Sequence, residues 1–347
     1  MKPSDIVESS LTSVLKYLDT SKFRDKQIFL TGGTGFFGLW LLTALKLIHA
    51  KEPGLKVTAL SRNPDKFLAK NPSWAAESWL HFVAGDVKNF SLPNPRFDYL
   101  IHAATDTSAH AHVDPIAIFD DVAQGSRNVM EFAVRAGIKR ALLTSSGAVY
   151  GAQPAGIERI SEDDSIACKT YLTSSAYGEG KRVMEFLASA FHNNYGIESA
   201  VARCFAFVGP GLPLDQHFAI GNFIRDALHK DQIQIKGDGS AVRSYLYGAD
   251  LAVWLLKILV EGAPTRIYNV GSDQYLNMRQ LAQVVVDVLA PGKSIRVESQ
   301  AAADNAQRSV YVPSIERAKK DLGLAVWTPL EEAIKLAADY HRATETQ

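Results

Sequence analysis

The chain has 347 residues, 47% hydrophobic and 21% charged, with 37 Lys and Arg against 37 Asp and Glu for a formal net charge of zero. That balance gives no electrostatic footprint for nucleic acid or for an anionic membrane surface. Its two cysteines, Cys168 and Cys204, fall in no metal-ligand spacing and are too few for a disulfide framework. The opening MKPSDIVESSLTSVLKYLD mixes acids into its apolar positions and is not a secretory signal, and no apolar run reaches the ~18 residues of a membrane span. The expectation is a cytoplasmic protein without a metal site.

Residues 4–19 carry an apolar stripe, Ile6, Leu11, Val14, Leu15 and Leu18, which predicts an amphipathic helix with Ser4 or Asp5 as its cap. From Lys26 short apolar runs alternate with helical patterns. The runs are Gln27–Leu30, Lys56–Leu60, Leu80–Val83, Tyr99–His102, Arg140–Thr144 and Glu198–Arg203. The helical patterns between them are Phe36–His49, Pro115–Ala136 and Ser175–Tyr195. Such alternation predicts an α/β fold, a doubly wound parallel sheet with helical crossovers. After Cys204 the pattern loosens through the Gly- and Pro-rich VGPGLPLDQHF into a predicted helix at Asn222–His229 and a strand at Gln232–Ile235. Helices around Gly248–Val260, Met278–Leu289 and Leu330–Arg342 follow, which predicts a smaller, interleaved C-terminal domain.

The first strand runs into IFLTGGTGFFGLWLL, with Gly32, Gly35 and Gly38 at three-residue intervals before a helical pattern. A glycine there can take positive φ, a second admits a ligand close to the backbone, and a third lets helix and strand approach. The helix start offers N–H groups and a positive dipole end to a pyrophosphate. Gly32, Thr34, Gly35, Phe36, Phe37 and Gly38 therefore form the predicted dinucleotide turn. The second strand ends at Ser61 and Arg62 rather than at an acid. An arginine fork pairs with a 2′-phosphate, so the tip leans to NADP(H), with NAD(H) left open. Asp86 and Val87, after the third strand, are candidates for the adenine end.

Two further stretches carry chemistry. ALLTSSGAVYG, residues 141–151, ends a strand at the sheet edge where open α/β sheets place their sites. In SAYGEGK, Tyr177 and Lys181 stand four apart and share a helix face. A phenol near pKa 10 is a poor base at neutral pH, and an ammonium beside it is expected to lower that value. Ser146 is placed to hold the same reacting oxygen, with Ser145 as the adjacent alternative.

In this order, the glycine turn, Asp86, SSGAVYG and YGEGK resemble the extended short-chain dehydrogenase/reductase superfamily, in its nucleotide-sugar epimerase/dehydratase branch. The likeness spans nearly all of the chain after Lys26. It implies a Rossmann-like domain over 26–205, an N-terminal helical extension over 1–25, and a mainly substrate-binding α/β domain over 206–347 whose segment at about 245–272 returns to the first. It implies Tyr177 as acid/base, Lys181 as its partner on the nicotinamide ribose, and Ser146 on the sugar hydroxyl. It makes Ala103, Ala104 and Thr105 cofactor-side residues and Thr107 part of a substrate-side loop. Arg243, in GDGSAVRSYLYGADLA, is the counterpart of the arginine that binds the substrate diphosphate. A homodimer through the helices at about 115–136 and 175–195, and a place in polysaccharide biosynthesis, are further implications.

The chain also departs from that pattern. Dehydratases of this branch follow the serine or threonine with Asp-Glu, and the decarboxylases usually keep the Glu; here those positions are Gly147 and Ala148, which transfer no proton. RCFA puts Ala206 where an Asn usually meets the diphosphate, with His217 and Asn222 as substitutes from the following loop. Val122 replaces the Asn three residues before Gly125. The expected reaction is hydride transfer at sugar C4, as epimerisation or keto-sugar reduction. The alternatives are a dehydratase or decarboxylase with unusual acid/base residues, and a dinucleotide-sensing protein without turnover.

Overall fold

The computed structural model describes residues 2–93, 95–105, 113–216, 218–298 and 309–346. In chain order the first half comprises α1 (Pro3–Val14), β1 (Gln27–Thr31), α2 (Phe36–His49), β2 (Lys56–Ser61), α3 (Pro64–Lys70), β3 (Leu80–Ala84), β4 (Tyr99–His102), α4 (Pro115–Arg135), β5 (Arg140–Ser146), α5 (Ala176–Tyr195) and β6 (Glu198–Cys204). The second half comprises β7 (Phe207–Val208), α6 (Ala219–His229), β8 (Gln232–Ile235), β9 (Val242–Ser244), β10 (Leu246–Tyr247), α7 (Gly248–Glu261), β11 (Ile267–Val270), β12 (Tyr275–Asn277), α8 (Met278–Leu289), β13 (Ser294–Val297), β14 (Val310–Tyr311), α9 (Glu316–Leu322) and α10 (Leu330–Glu345).

Seven strands form one parallel sheet in the order β11-β6-β5-β4-β1-β2-β3. The chain builds outward from β1 to β3, then returns to build from β4 to β11, so the switch point lies between β1 and β4. Open sheets of this kind bind ligands outside the strand C-termini at that point. A central parallel strand is covered on both faces, and Ile28, Phe29 and Leu30 of β1 are fully buried without alternation. Phe29 meets Phe132 of α4 on one face, in a core that also takes Met130 and Met184. Ile28 and Leu30 meet α2 and α7 on the other. Helix α7 is apolar around most of its circumference and is almost wholly buried, as such a helix must be.

The stripe predicted at 4–19 is buried, but not as one helix. Helix α1 stops at Val14 and the chain continues in 3-10 turns at Leu15–Tyr17 and Thr20–Phe23, the second opened by Asp19 accepting from Ser21 N at 3.2 Å. Neither Ser4 nor Asp5 is the cap residue. Pro3 starts the helix, where its missing N–H costs nothing, and Asp5 reaches back to accept from Lys2 N at 3.1 Å. Ser10 Oγ lies 2.9 Å from the Tyr247 hydroxyl, which ties α1 to the body of the protein.

The C-terminal half carries three small sheets: β10 with β7, β13 with β8, and β9 between β12 and β14. Of their strands, β8 is the one the sequence predicted at Gln232–Ile235; the two- and three-residue strands β7, β9, β10, β12 and β14 are too short to show a period. Parallel pairing of β14 with β9 sets Tyr311 opposite Arg243. Among the described residues no helix is long and apolar enough to cross a membrane.

Candidate active site

The three glycines of the first turn do different work. Gly32 has φ +79°, and a Cβ on it would stand 2.5 Å from Ala103 O and 2.7 Å from Ala104 N. On Gly38 a Cβ would stand 2.1 Å from Gly33 O, so α2 seats directly on the turn. Gly35 differs: a Cβ there would meet only Gly32 O, at an ordinary 3.8 Å. Gly35 is the N-cap of α2 and has no side chain to cap with. Gly32 and Gly38 are thus demanded by the fold, whereas Gly35 borders open space in front of a helix N-terminus. A dinucleotide pyrophosphate fits that cradle, with Phe36 and Phe37 offering backbone N–H groups, while Gly35 N donates within the turn to Gly32 O at 3.3 Å. The rings of Phe36 and Phe37 serve packing instead, Phe37 lying edge-on to Phe207 at 5.2 Å.

The remaining residues expected on the cofactor side lie around this turn. Thr34 Oγ1 is 3.3 Å from the Ser61 hydroxyl, and Arg62 is exposed at the tip beyond it. Asp86 accepts from Lys88 N at 2.9 Å and so shapes its own turn. Val87 packs where a Cβ on Gly125 would come within 2.9 Å, and its carbonyl accepts from Asn128 Nδ2 at 2.8 Å. The Ala103–Thr105 segment is fixed from below by a hydrogen-bonded chain. Ala104 N donates to Thr31 Oγ1 at 3.2 Å, Thr31 Oγ1 lies 2.8 Å from His102 Nδ1, and His102 Nε2 lies 3.3 Å from Ser126 Oγ. Burial pulls His102 down to about 3, aided by the Lys181 charge, so the ring stays neutral at working pH. His102 thus belongs to the scaffold of the cofactor loop.

Ser146 ends β5 and its Oγ accepts from Ala148 N at 3.1 Å, capping the 3-10 turn Gly147–Tyr150. Tyr177 lies in the first turn of α5, with the Ser146 hydroxyl near enough to its phenol to favour the charged form. One turn on, Lys181 is buried and donates to Thr105 Oγ1 at 2.8 Å and Thr144 O at 2.7 Å, with its Nζ 5.7 Å from the Tyr177 ring centre. Two glycines inside YGEGK permit this seating. A Cβ on Gly178 would stand 2.6 Å from Ala148 O, and one on Gly180 would stand 3.0 Å from Val122 Cβ. Val122, where the resemblance expects Asn, is therefore the surface on which α5 rests against α4.

The electrostatics differ from the sequence expectation. Burial pushes the Tyr177 phenol up to about 12, and the Ser146 hydrogen bond only partly opposes it. Burial also pulls Lys181 down to about 8. Desolvation here outweighs the lowering expected from the ammonium, so Tyr177 is held as a proton donor.

Ser145 faces away from this cluster. Its hydroxyl donates to Glu185 Oε1 at 2.5 Å, and Glu185 is held by Arg203 through Nε at 2.9 Å and Nη2 at 2.6 Å. Arg203 in turn lies 4.6 Å over the Tyr150 ring. Ser145 thus locks β5 to α5 and β6.

The proposed substrate residues are dispersed. Arg243 donates to Val242 O and Ser309 O, both at 2.8 Å, and to Ser309 Oγ at 3.0 Å. Asn222 donates to Gln216 O at 2.9 Å and accepts from Arg225 Nη1 at 3.1 Å, so both ends of its amide are used within the local loop. Ala206 is half-buried and its carbonyl accepts from Leu246 N at 3.0 Å. Thr107 and His217 lie outside the described residues. A further residue, not singled out from the sequence, lies beside the cluster: a Cβ on Gly147 would stand 2.6 Å from the Tyr311 hydroxyl.

A glycine turn at the switch point of a parallel sheet, with Ser146, Tyr177 and Lys181 gathered at the strand ends, defines a short-chain dehydrogenase/reductase of the extended class. Residues 28–271 match the model of the NAD dependent epimerase/dehydratase family, and the chain belongs to that family. Curated relatives include UDP-glucuronic acid decarboxylase 6 of Arabidopsis thaliana, 28% identical over 94% of this chain and 92% of its own length. UDP-glucuronic acid decarboxylase 1 of Xenopus tropicalis is 28% identical over 91% of this chain and 72% of its own. Among solved structures, UDP-glucose 4-epimerase of Thermotoga maritima superposes with TM-score 0.77 at 24% identity, covering 92% of this chain and 99% of that one. A dTDP-glucose 4,6-dehydratase of Streptomyces venezuelae with NAD bound gives 0.77 at 23% identity, covering 92% and 98%. The chain is an enzyme fold of the nucleotide-sugar epimerase, dehydratase and decarboxylase group.

Proposed function

We propose that the protein exchanges hydride at C4 of a nucleoside-diphosphate sugar, as a 4-epimerase or a keto-sugar reductase, with Tyr177 as acid/base. The observation that carries this reading is the junction after Ser146. Tyr177 and Ser146 converge there, while Gly147 and Ala148 put no carboxylate beside them for elimination. The bound dinucleotide would supply the hydride acceptor and donor. The chain's own part is to move one proton and fix one oxygen. Ser146 holds the sugar O4, and Tyr177 takes its proton on oxidation or returns it on reduction. Lys181, anchored on Thr105 and Thr144, places its charge between the phenol and the cofactor ribose. A phenol held protonated at neutral pH favours the reducing direction.

Arg62 at the exposed β2 tip, with Ser61 behind it, supports NADP(H); the NAD in the dehydratase structure supports NAD(H). Arg243, His217 and Asn222 are the candidates on the diphosphate side, and Thr107 on the sugar side. Ile116 on α4 and Phe186 on α5, both exposed apolar side chains, support a homodimer through these two helices.

The names of the curated relatives favour a second reading, decarboxylation of a uronate through the same C4 oxidation. A β-keto acid loses CO2 into its own carbonyl, so that step asks little of Gly147 and Ala148. Purified protein incubated with UDP-glucose, UDP-galactose, UDP-glucuronate and a 4-keto sugar nucleotide, each with NAD(H) and NADP(H), separates the two. A C4 epimer or net NADPH consumption is the expected NMR result. A pentose product with CO2 release would replace the first reading by the second.

A further inference from the structure

Helix α5 carries a carboxylate one turn beyond Lys181. Tyr177, Lys181 and Glu185 stand at four-residue intervals and share one face. The Glu185 side chain is 10% exposed and its partner Arg203 12%, so the ion pair is almost out of water. The pairing is bidentate, with Arg203 Nε donating to Oε1 at 2.9 Å and Nη2 to Oε2 at 2.6 Å. Arg203 on β6 is the register partner of Ser145 on β5, and Ser145 Oγ donates to the same Oε1 at 2.5 Å. Glu185 therefore bridges two strand ends and is fixed by three hydrogen bonds.

The same strand end takes Lys181. Its Nζ donates to Thr144 O, one residue before Ser145, and to Thr105 Oγ1. Both acceptors are neutral, and an ammonium buried among neutral groups is costly unless an anion lies near. The titratable groups that face it are Tyr177 and Glu185 on its own helix, His102 on β4 and Cys204 on β6. Arg203 stands behind Glu185, with Tyr150 against its guanidinium. Of these, Cys204 and Glu185 are set against the burial that pulls Lys181 down to about 8. Burial also pushes the Cys204 thiol up to about 12, so the thiol carries no charge at neutral pH. Glu185 is the anion that remains.

Resting on the reading of Lys181 as the partner of Tyr177, we propose that Glu185 is a positioning residue: clamped by Arg203 and Ser145, it is the counter-charge that keeps Lys181 an ammonium at the end of β5. Its place on the helix suits that role. Glu185 lies beyond Lys181 as seen from Tyr177, two helical turns or ~12 Å of rise from the tyrosine. It can therefore support the ammonium without setting a second anion beside the phenol. The Arg203 fork meets both carboxylate oxygens, which offsets the cost of burying them. The Ser145 tie holds the carboxylate to the residue next to the carbonyl that Lys181 uses.

The test replaces the charged pair by a neutral one, Glu185→Gln together with Arg203→Met. Neutral replacements of buried pairs are commonly tolerated, whereas Glu185→Gln alone leaves the Arg203 charge without its partner. The amide keeps an acceptor for Ser145. Full-length protein labelled with 13C at lysine Cε is titrated by NMR with NADPH added; the Lys181 signal is assigned by its loss in Lys181→Met. Wild type is expected to titrate near 8, and the double variant about 1 pH unit lower, the worth of one screened charge. Glu185→Gln alone, carried through the same titration, is expected to fall at least as far. Ser145→Ala keeps both charges and is expected to leave the midpoint at its wild-type value. On an active substrate the alkaline fall of kcat moves with the midpoint. In the double variant kcat is about 2-fold below wild type at pH 7 and about 5-fold below at pH 8, with KM for the sugar nucleotide unchanged. An unmoved Lys181 midpoint in either folded Glu185→Gln protein overturns the proposal. An equal fall in Ser145→Ala overturns it too, by tracing the effect to strand placement rather than charge. Normal turnover by Tyr177→Phe would instead overturn the hydride-exchange reading, so the two failures are distinct.

Discussion

The two sides of this site are built on different principles. The cofactor side is a local object made of backbone: one βαβ turn, three glycines, and a loop held under them by Thr31, His102 and Ser126. The proposed reacting side draws on side chains from separate parts of the chain, with Ser146 from β5, Tyr177 and Lys181 from α5, and Tyr311 of β14 beside Gly147. The first depends on where Cβ atoms are absent and the second on where hydroxyls converge. Substitutions in the two regions should therefore fail in different ways.

The sharpest separation is expected at Tyr177. Tyr177→Phe should cut turnover by about 10²- to 10⁴-fold, the usual worth of a positioned acid/base, while the melting temperature and dinucleotide binding persist. Loss of folding in that variant would erase the distinction between the two regions. On the other side, Gly38→Ala should cost about 1–3 kcal/mol of stability or more, since its Cβ would fall 2.1 Å from the Gly33 carbonyl. Calorimetry checks it, and an unaltered melting temperature would show that α2 can move off the turn.

Gly35→Ala contrasts with its neighbour. Its Cβ meets the protein only at 3.8 Å, so the fold should hold while dinucleotide affinity drops about tenfold, or about 1.4 kcal/mol, in a fluorescence titration. A pH-dependent effect is expected at His102, whose value falls from 6.5 to about 3 in the folded protein. The unfolded chain then binds the extra proton between these limits, so His102 lowers stability as pH falls from about 6.5 toward 3. His102→Gln should flatten the variant's own stability curve over that range, so that the variant gains on wild type as pH falls; parallel curves would show that the ring is not held neutral.

The same contrast explains what could be read from the sequence. Strands β1 to β6 and helices α2, α4 and α5 are long enough to show a period, and the glycine turn announces itself because its chemistry is contiguous. Ser146, Tyr177 and Lys181 were legible as two short motifs whose meeting the parallel sheet guarantees. Tyr311 was not, because β9 and β14 are three and two residues long and their pairing is a long-range event. Nor does a motif report desolvation. The four-residue spacing of Tyr177 and Lys181 predicts a lowered phenol, whereas burial raises it. Ser146 is the serine the sequence favours, with Ser145 as its alternative, and the structure ties Ser145 to the Glu185–Arg203 pair.

The central claim, hydride exchange at C4 without elimination, is tested most directly by running the reaction in D2O with each candidate sugar nucleotide and locating carbon-bound deuterium by NMR. The account predicts a C4-altered product with no solvent deuterium on its ring carbons, formed by wild-type protein and not by Tyr177→Phe. Deuterium at C5, with a 4-keto-6-deoxy sugar or a pentose as product, would contradict it.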